Sequence, residues 1–224
     1  MGLADELFQE FRAVGEKLHG LGMLSSADGN LSVRTGTDRV LITRSGAVLC
    51  HLTSADLLEV DLHGQPVSRT DFRPSTELPM HLAIYRARPE VGAVVHAHPS
   101  FATAFGLTGR PFPWNVLPEV IYYLGKVVSV PYATPGSQEN AEQVRRYLGN
   151  HDVLLLEYHG AVTLGRTLME AFYRMEKLEH AARTLFHASQ LGPLRPLPEW
   201  EVEKLLALRQ QALNEPSEGR SGRG

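Results

Sequence analysis

The chain reads as a single α/β domain, on three observations. Short β-branched apolar runs, 91–95 and Val153–Leu156 foremost, are too brief for ordinary helices and read as buried strands. Longer stretches carry apolar residues at helical spacing: Leu3, Leu7, Phe8, Phe11, Val14 and Leu18 near the start, and Leu168, Phe172, Met175, Leu178, Ala182 and Leu185 near the end. A length of 224 residues holds one substantial core and is short for two.

Hydrophobic residues make up 43% of the chain, charged ones 21%, and the formal net charge is -3. That balance gives no global attraction to nucleic acid or to an anionic membrane. Cys50 is the single cysteine, which excludes an internal disulfide framework. With no apolar run of spanning length and no basic-then-apolar leader at Met1, the expected compartment is the cytoplasm.

The first helix is expected to end near Gly20 or Gly22 and to be core scaffolding. Ser25-Ser26-Ala27-Asp28-Gly29-Asn30 follows, ahead of the alternating Leu31-Ser32-Val33. It is either a simple turn or a loop whose N–H groups and Asn30 amide face an anion, and alone the turn is the commoner case. Residues 40–43 form the next strand and run into Arg44-Ser45-Gly46, again a hydroxyl beside flexible backbone. After a short strand at 57–62, the turn His63-Gly64 and the breaker Pro74, a third such cluster appears, Ser75-Thr76-Glu77. On the plain account Ser75 or Thr76 caps a helix carrying Leu78, Leu82 and Tyr85, and Glu77 complements its dipole. On the sharper account that helix start is a phosphate site with Glu77 aimed at a metal.

The strand at 91–95 ends in His96-Ala97-His98. Side chains two apart share a strand face, so both imidazoles project the same way, as chelation of one ion requires. Two histidines that merely close a strand are the alternative. Pro99 suits the start of a helix at 100–105. A proline-rich connection at 110–118 leads to 120–124 with Tyr122 and Tyr123; 126–130 is a short strand, 131–137 a loop and Gln138–Leu148 a helix. The most apolar strand, Val153–Leu156, delivers Glu157-Tyr158-His159-Gly160 and places His159 as His98 is placed. A lone histidine there is more often a satisfied core residue than a ligand. A long helix at 167–191 is broken by Pro193, Pro196 and Pro198; 200–213 is a short helix, and 215–224 has the charged, glycine-rich composition of a disordered tail. The sequence shows no internal repeat, dinucleotide fingerprint, Lys-bearing phosphate loop or nucleophile elbow.

Taken in order, Gly29-Asn30, Thr43-Arg44-Ser45-Gly46, Ser75-Thr76-Glu77, His96-Ala97-His98 and Tyr158-His159-Gly160 resemble the class II aldolase/adducin family, most of all its L-fuculose-1-phosphate aldolases. The resemblance spans 3–191, and five ordered motifs are far more specific than any one of them. It implies a three-layer α/β/α sandwich with a central, mainly antiparallel sheet, in a homotetramer with active sites at subunit interfaces. It implies a catalytic domain at 1–191, with a helical extension at 192–214 before the tail. Asn30, Ser45, Gly46, Ser75 and Thr76 stand where the family holds the sugar phosphate, His96, His98 and His159 where it binds zinc, and Glu77 where it has its acid/base.

The implied reaction cleaves a ketose 1-phosphate to dihydroxyacetone phosphate and a short aldehyde. The charge left on the enediolate must be stabilised without a Schiff-base lysine. Three neutral imidazoles leave zinc its full charge and open positions for a carbonyl and adjacent hydroxyl, while Glu77 moves the proton and the held phosphate supplies orientation. Two departures stand out. Asp28 precedes Gly-Asn where relatives carry a small residue, so a compensating cation is expected, with Arg44 the candidate. The tail contains no tyrosine after Tyr173, so the acid for the aldehyde oxygen is open. Tyr122 and Tyr123 lie near the segment where a neighbouring subunit's tyrosine enters the family's site, though both suit a core equally, and Glu119 competes. A pentulose-phosphate 4-epimerase, a sugar-acid-phosphate decarboxylase and a non-catalytic adducin-like interaction domain are the other readings.

Overall fold

A computed structural model describes residues 3–214, so the expected tail at 215–224 lies outside the described residues. The strands are β1 (Asn30–Arg34), β2 (Arg39–Thr43), β3 (Leu57–Asp61), β4 (Ala93–Ala97), β5 (Val128–Val130), β6 (Val153–Leu156) and β7 (Gly160–Gly165). They form one mixed sheet in the order β3-β2-β1-β4-β7-β6-β5. Neighbours run antiparallel except β5 and β6, which are parallel. A parallel pair needs a crossover, and here it is α5 (Gln138–Leu148), whose first turn is capped by Ser137 accepting from the Asn140 N–H.

Alternation along the strands divides the interior in two. Leu31, Ala93, Val95, Ala97, Leu155 and Ala161 join a core with α1 (Leu3–Gly20), α3 (Ser100–Gly106), α4 (Pro118–Tyr123) and α6 (Leu168–Leu191). Val94, Leu154, Leu156, Val162 and Leu164 join a second with α2 (Leu78–Ala87) and α5. Period-two burial on β4 puts His96 on the same face as Val94, toward α2. α7 (Glu199–Asn214) packs beside α4, and its Arg209 reaches Asp152 and the carbonyls of Tyr122 and Tyr123.

Most expected elements recur within a residue or two. The exception is β7, not among the expected strands, where Gly160 and Gly165 bracket a run of only four residues. In fact 157–159 form a tight connection to an antiparallel partner, with Tyr158 in the left-handed region at φ 61. The segment at 120–124 belongs to α4. No helix among the described residues is long and apolar enough to cross a membrane.

Candidate metal centre

Three chain segments deliver the histidines to one end of the sheet. His96 is the fourth residue of β4, paired with Asn30 on one side and Val162 on the other, and is fully buried. Its Nδ1–H donates to the Ala161 carbonyl at 3.0 Å. A carbonyl only accepts, so that bond puts a proton on Nδ1 and turns Nε2 toward the cluster. His98 leaves the strand with its N–H on the Met23 carbonyl at 2.9 Å, and His159 closes the β6–β7 turn with its N–H on Leu156 at 3.2 Å. The ring centroids are 4.8 to 5.0 Å apart. Gly160 makes this crowding possible: a Cβ there would lie 2.5 Å from the Ala97 carbonyl oxygen and 2.7 Å from His98 Cδ2.

Glu77 reaches the cluster from the start of α2. Its Oε2 lies 2.9 Å from His96 Nε2 and its Oε1 3.1 Å from His159 Nε2, while Asn30 Nδ2 donates to Oε2 at 2.9 Å. Burial raises the Glu77 carboxyl, yet the positive His96 and the bonds from His159, His96 and Asn30 outweigh it and hold it well below the usual carboxylate range. Burial, reinforced by His96 and His159, pushes His98 down to about 4, which keeps its lone pair available. The ligand atoms of His96, His98 and His159 lie within 4.8 Å of one another, and His98 Nε2 is 3.1 Å from His96 Nε2. Nitrogen lone pairs and carboxylate oxygens converging this closely need one positive charge among them, a shared proton or a divalent ion. Three imidazoles at one point are a donor set suited to zinc.

Beside the histidines opens a cleft of about 190 Å³, lined by Gly29, Asn30, Ser45, Gly46, Ser75 and Thr76 together with Glu77, His98 and His159. The structure therefore brings the expected phosphate residues and the expected metal residues to one place. Their donors are used differently from the sequence reading. Ser45 and Ser75 give their N–H groups to the carbonyls of Arg73 and Thr43, knitting the two loops together, whereas Gly46 and Thr76 make no such backbone bond among the described residues. Neither Ser75 nor Thr76 caps α2; Glu77 itself occupies the N-cap position and its side chain makes no capping bond. Arg44 lines the cleft, held by Asp56 at 2.5 Å. It is therefore not the partner of Asp28, whose Oδ2 lies 3.6 Å from His98 Nδ1 instead.

Tyr122 and Tyr123 are not brought to the cluster within one chain. They line a separate cavity of about 610 Å³ with Tyr173, Lys177 and Arg209, against α6 and α7. Any part for them at the metal requires a second chain. Three residues the sequence reading passed over do join the site from beneath: His81 and Tyr85 on α2 and Ser32 on β1. His81 Nε2 is 2.5 Å from Asn30 Oδ1, its Nδ1 2.6 Å from Ser32 Oγ, and Ser32 Oγ 2.9 Å from the Tyr85 hydroxyl. One signal was present: His81 sits on the stripe of Leu78, Leu82 and Tyr85, a titratable side chain on a core face.

This layout agrees with comparisons to known proteins. Residues 9–186 match the class II aldolase and adducin N-terminal domain. The chain belongs to the class II aldolase and adducin family. Among its relatives, an L-fuculose phosphate aldolase from Methanococcus vannielii is 37% identical over 175 residues, 78% of this chain and 93% of the relative. A 3-oxo-tetronate 4-phosphate decarboxylase from Haemophilus influenzae is 34% identical over 196 residues, 86% and 92% of the respective lengths. Among solved structures, an L-fuculose-1-phosphate aldolase from Thermus thermophilus superposes with a TM-score of 0.72 at 34% identity, covering 84% of this chain and 97% of that one. Class II aldolases are metal-dependent, and in this member the His96, His98 and His159 cluster offers a metal its donors.

Proposed function

We propose that the chain is a zinc-dependent class II aldehyde-lyase that cleaves a ketose 1-phosphate of the fuculose-1-phosphate type to dihydroxyacetone phosphate and a short aldehyde. In this reading it works in the cytoplasm as a homotetramer, on a three-layer α/β/α scaffold with a mainly antiparallel sheet. Its catalytic domain is 1–191, and 192–214 is an extension. The carrying observation is the placement of Glu77, its two oxygens within 2.9 and 3.1 Å of two of three clustered imidazoles and its backbone at the mouth of a hydroxyl-lined cleft.

His96, His98 and His159 would hold the ion, which when bound supplies Lewis acidity toward the substrate's oxygens. The chain's own groups do the rest. Ser45, Gly46, Ser75 and Thr76 bind the phosphate, with the Asn30 amide at the cleft wall and Arg44 supplying charge that the carboxylates of Asp28 and Glu77 oppose. Anchoring the phosphate orients the carbon chain toward Glu77, and orientation is worth several kcal/mol in such reactions, about 7 to 11 at the upper end. Glu77 carries the proton to and from the carbon that becomes electron-rich on cleavage. The aldehyde oxygen receives its proton from a neighbouring subunit, for which Tyr122, Tyr123 and Glu119 are this chain's candidates.

A second reading has its own support, since a 3-oxo-tetronate 4-phosphate decarboxylase matches nearly full length. Breaking a carbon–carbon bond beside a stabilised carbonyl needs the same parts, with carbon dioxide leaving in place of an aldehyde. Incubating the zinc-loaded protein with ketose 1-phosphates and 3-oxo sugar-acid phosphates, and identifying products by mass, separates the two. Dihydroxyacetone phosphate plus an aldehyde is expected. Carbon dioxide from the oxo acids instead selects the decarboxylase, and an unsplit epimer, unchanged in mass and recognised by its proton NMR spectrum, selects an epimerase. Loaded protein inert to both panels overturns the aldehyde-lyase proposal.

A further inference from the structure

Beneath the site runs a continuous hydrogen-bonded chain: Glu77, Asn30, His81, Ser32, Tyr85. Its inner members are deeply buried, at 4% exposure for Asn30, 0% for Ser32 and His81 and 1% for Tyr85. Each link is short, 2.9, 2.5, 2.6 and 2.9 Å in order from Glu77.

The polarity of every link follows from the carboxylate end. An ionised carboxylate only accepts, so the Asn30 atom facing it must be the NH2 group, and the Asn30 carbonyl must face His81. His81 Nε2 must then carry its proton and donate. Burial in an apolar interior, reinforced by His96, pushes His81 down to about 3 and keeps it neutral. A neutral ring protonated on Nε2 presents a bare Nδ1, which accepts from the Ser32 hydroxyl, and Ser32 in turn accepts from Tyr85. Every link thus donates in one direction, toward Glu77. Turning the Asn30 amide over would set a carbonyl against a carboxylate and demand the opposite His81 tautomer, so the two choices are locked together. An amide does not pass a proton along, so the chain holds the site in place rather than conducting through it.

We infer that His81 is a positioning residue, which through Asn30 ties Glu77 Oε2 to the protein and leaves Oε1, whose contact is the proposed metal ligand His159, as the oxygen that exchanges a proton with substrate. The inference rests on Glu77 being the proton carrier of the proposed reaction. It assigns to Ser32 and Tyr85 the task of satisfying the bare His81 Nδ1 that this tautomer leaves. A purely structural buried histidine would need partners, but it would not need this directionality.

Two substitutions of similar bulk separate the roles. His81→Gln keeps an N–H for Asn30 and a carbonyl for Ser32, whereas His81→Leu fills space and keeps neither. In zinc-loaded protein with 15N-labelled histidine, the resonance pair missing from His81→Gln identifies His81, and wild type is expected to show the Nε2–H tautomer. Exchange of dihydroxyacetone phosphate protons into heavy water is expected to fall about 10- to 100-fold in His81→Leu. Zinc stoichiometry and the concentration of dihydroxyacetone phosphate for half-maximal rate should stay near wild type, and His81→Gln should remain within about threefold of it. An Nδ1–H or doubly protonated ring in wild type overturns the inference, as do equal losses in the two variants or a His81→Leu that exchanges at the wild-type rate. Should His81→Leu not fold, Ser32→Ala replaces it, with the Nε2–H tautomer expected to persist because Asn30 still accepts from it and an Nδ1–H ring contradictory. A wild type that exchanges nothing condemns the aldolase reading, and the tautomer then decides the positioning claim alone.

Discussion

Two buried ionic clusters sit at opposite ends of the same strands, and they are built on opposite principles. At one end Asp152 receives Arg88, Arg174 and Arg209 at 3.0, 3.4 and 2.5 Å, while Glu90 and Glu170 bond Arg88 and Arg174. Three carboxylates meet three guanidinium groups, so the charges close among themselves. At the other end Glu77 meets two of the three clustered imidazoles and a primary amide, with no Lys or Arg paired with it among the described residues. That cluster converges lone pairs on a point and lacks a fixed positive charge. The contrast teaches where chemistry is to be sought: a self-satisfied network holds elements together, and an incomplete one holds something else.

The largest expected effect lies on the incomplete side. Glu77→Gln keeps the shape and the Asn30 contact but removes the base, so proton exchange of dihydroxyacetone phosphate should fall by about 10³- to 10⁴-fold while zinc stays bound. Near-normal exchange would remove Glu77 from its proposed role.

Next in size is the closed cluster. Asp152→Asn leaves three arginines facing one another at the joint of α2, α6 and α7, and should cost about 3–5 kcal/mol in urea unfolding at fixed protein concentration. Zinc content of the folded fraction should not change. Loss of metal without loss of stability would reverse the assignment of the two clusters.

Smallest is the rim. Arg44→Gln removes the cation from the cleft without touching the histidines, and is expected to raise KM for the phosphorylated substrate about 10-fold with kcat near wild type. An equal fall in kcat and kcat/KM would mean that Arg44 acts in the transition state.

What the sequence disclosed follows the same divide. His96 and His98 were legible because strand periodicity alone puts residues two apart on one face, and His159 because it ends the most apolar run. Asn30, Ser45, Gly46, Ser75 and Thr76 were legible as small polar clusters, though not which N–H groups the loops use on each other. His81, Ser32 and Tyr85 were hidden by their setting: on a buried helix face and an alternating strand they satisfy the same pattern that core residues satisfy, and only the fold shows that they meet. β7 was hidden by its glycines: Gly160 must clear the Ala97 carbonyl and the His98 ring, and Gly165 the backbone of Thr167 and Ala171. Tyr122 and Tyr123 illustrate a limit of another kind, since the part proposed for them across subunits would be written in no single chain's periodicity.

The central claim is that the incomplete cluster is completed by a metal, and metal content tests it most directly. Purified protein exposed to zinc and dialysed should retain one equivalent per chain by elemental analysis, and His96→Ala combined with His159→Ala should retain none while its circular dichroism stays that of the wild type. Stoichiometric zinc in that double variant, or none in the wild type, would contradict the account.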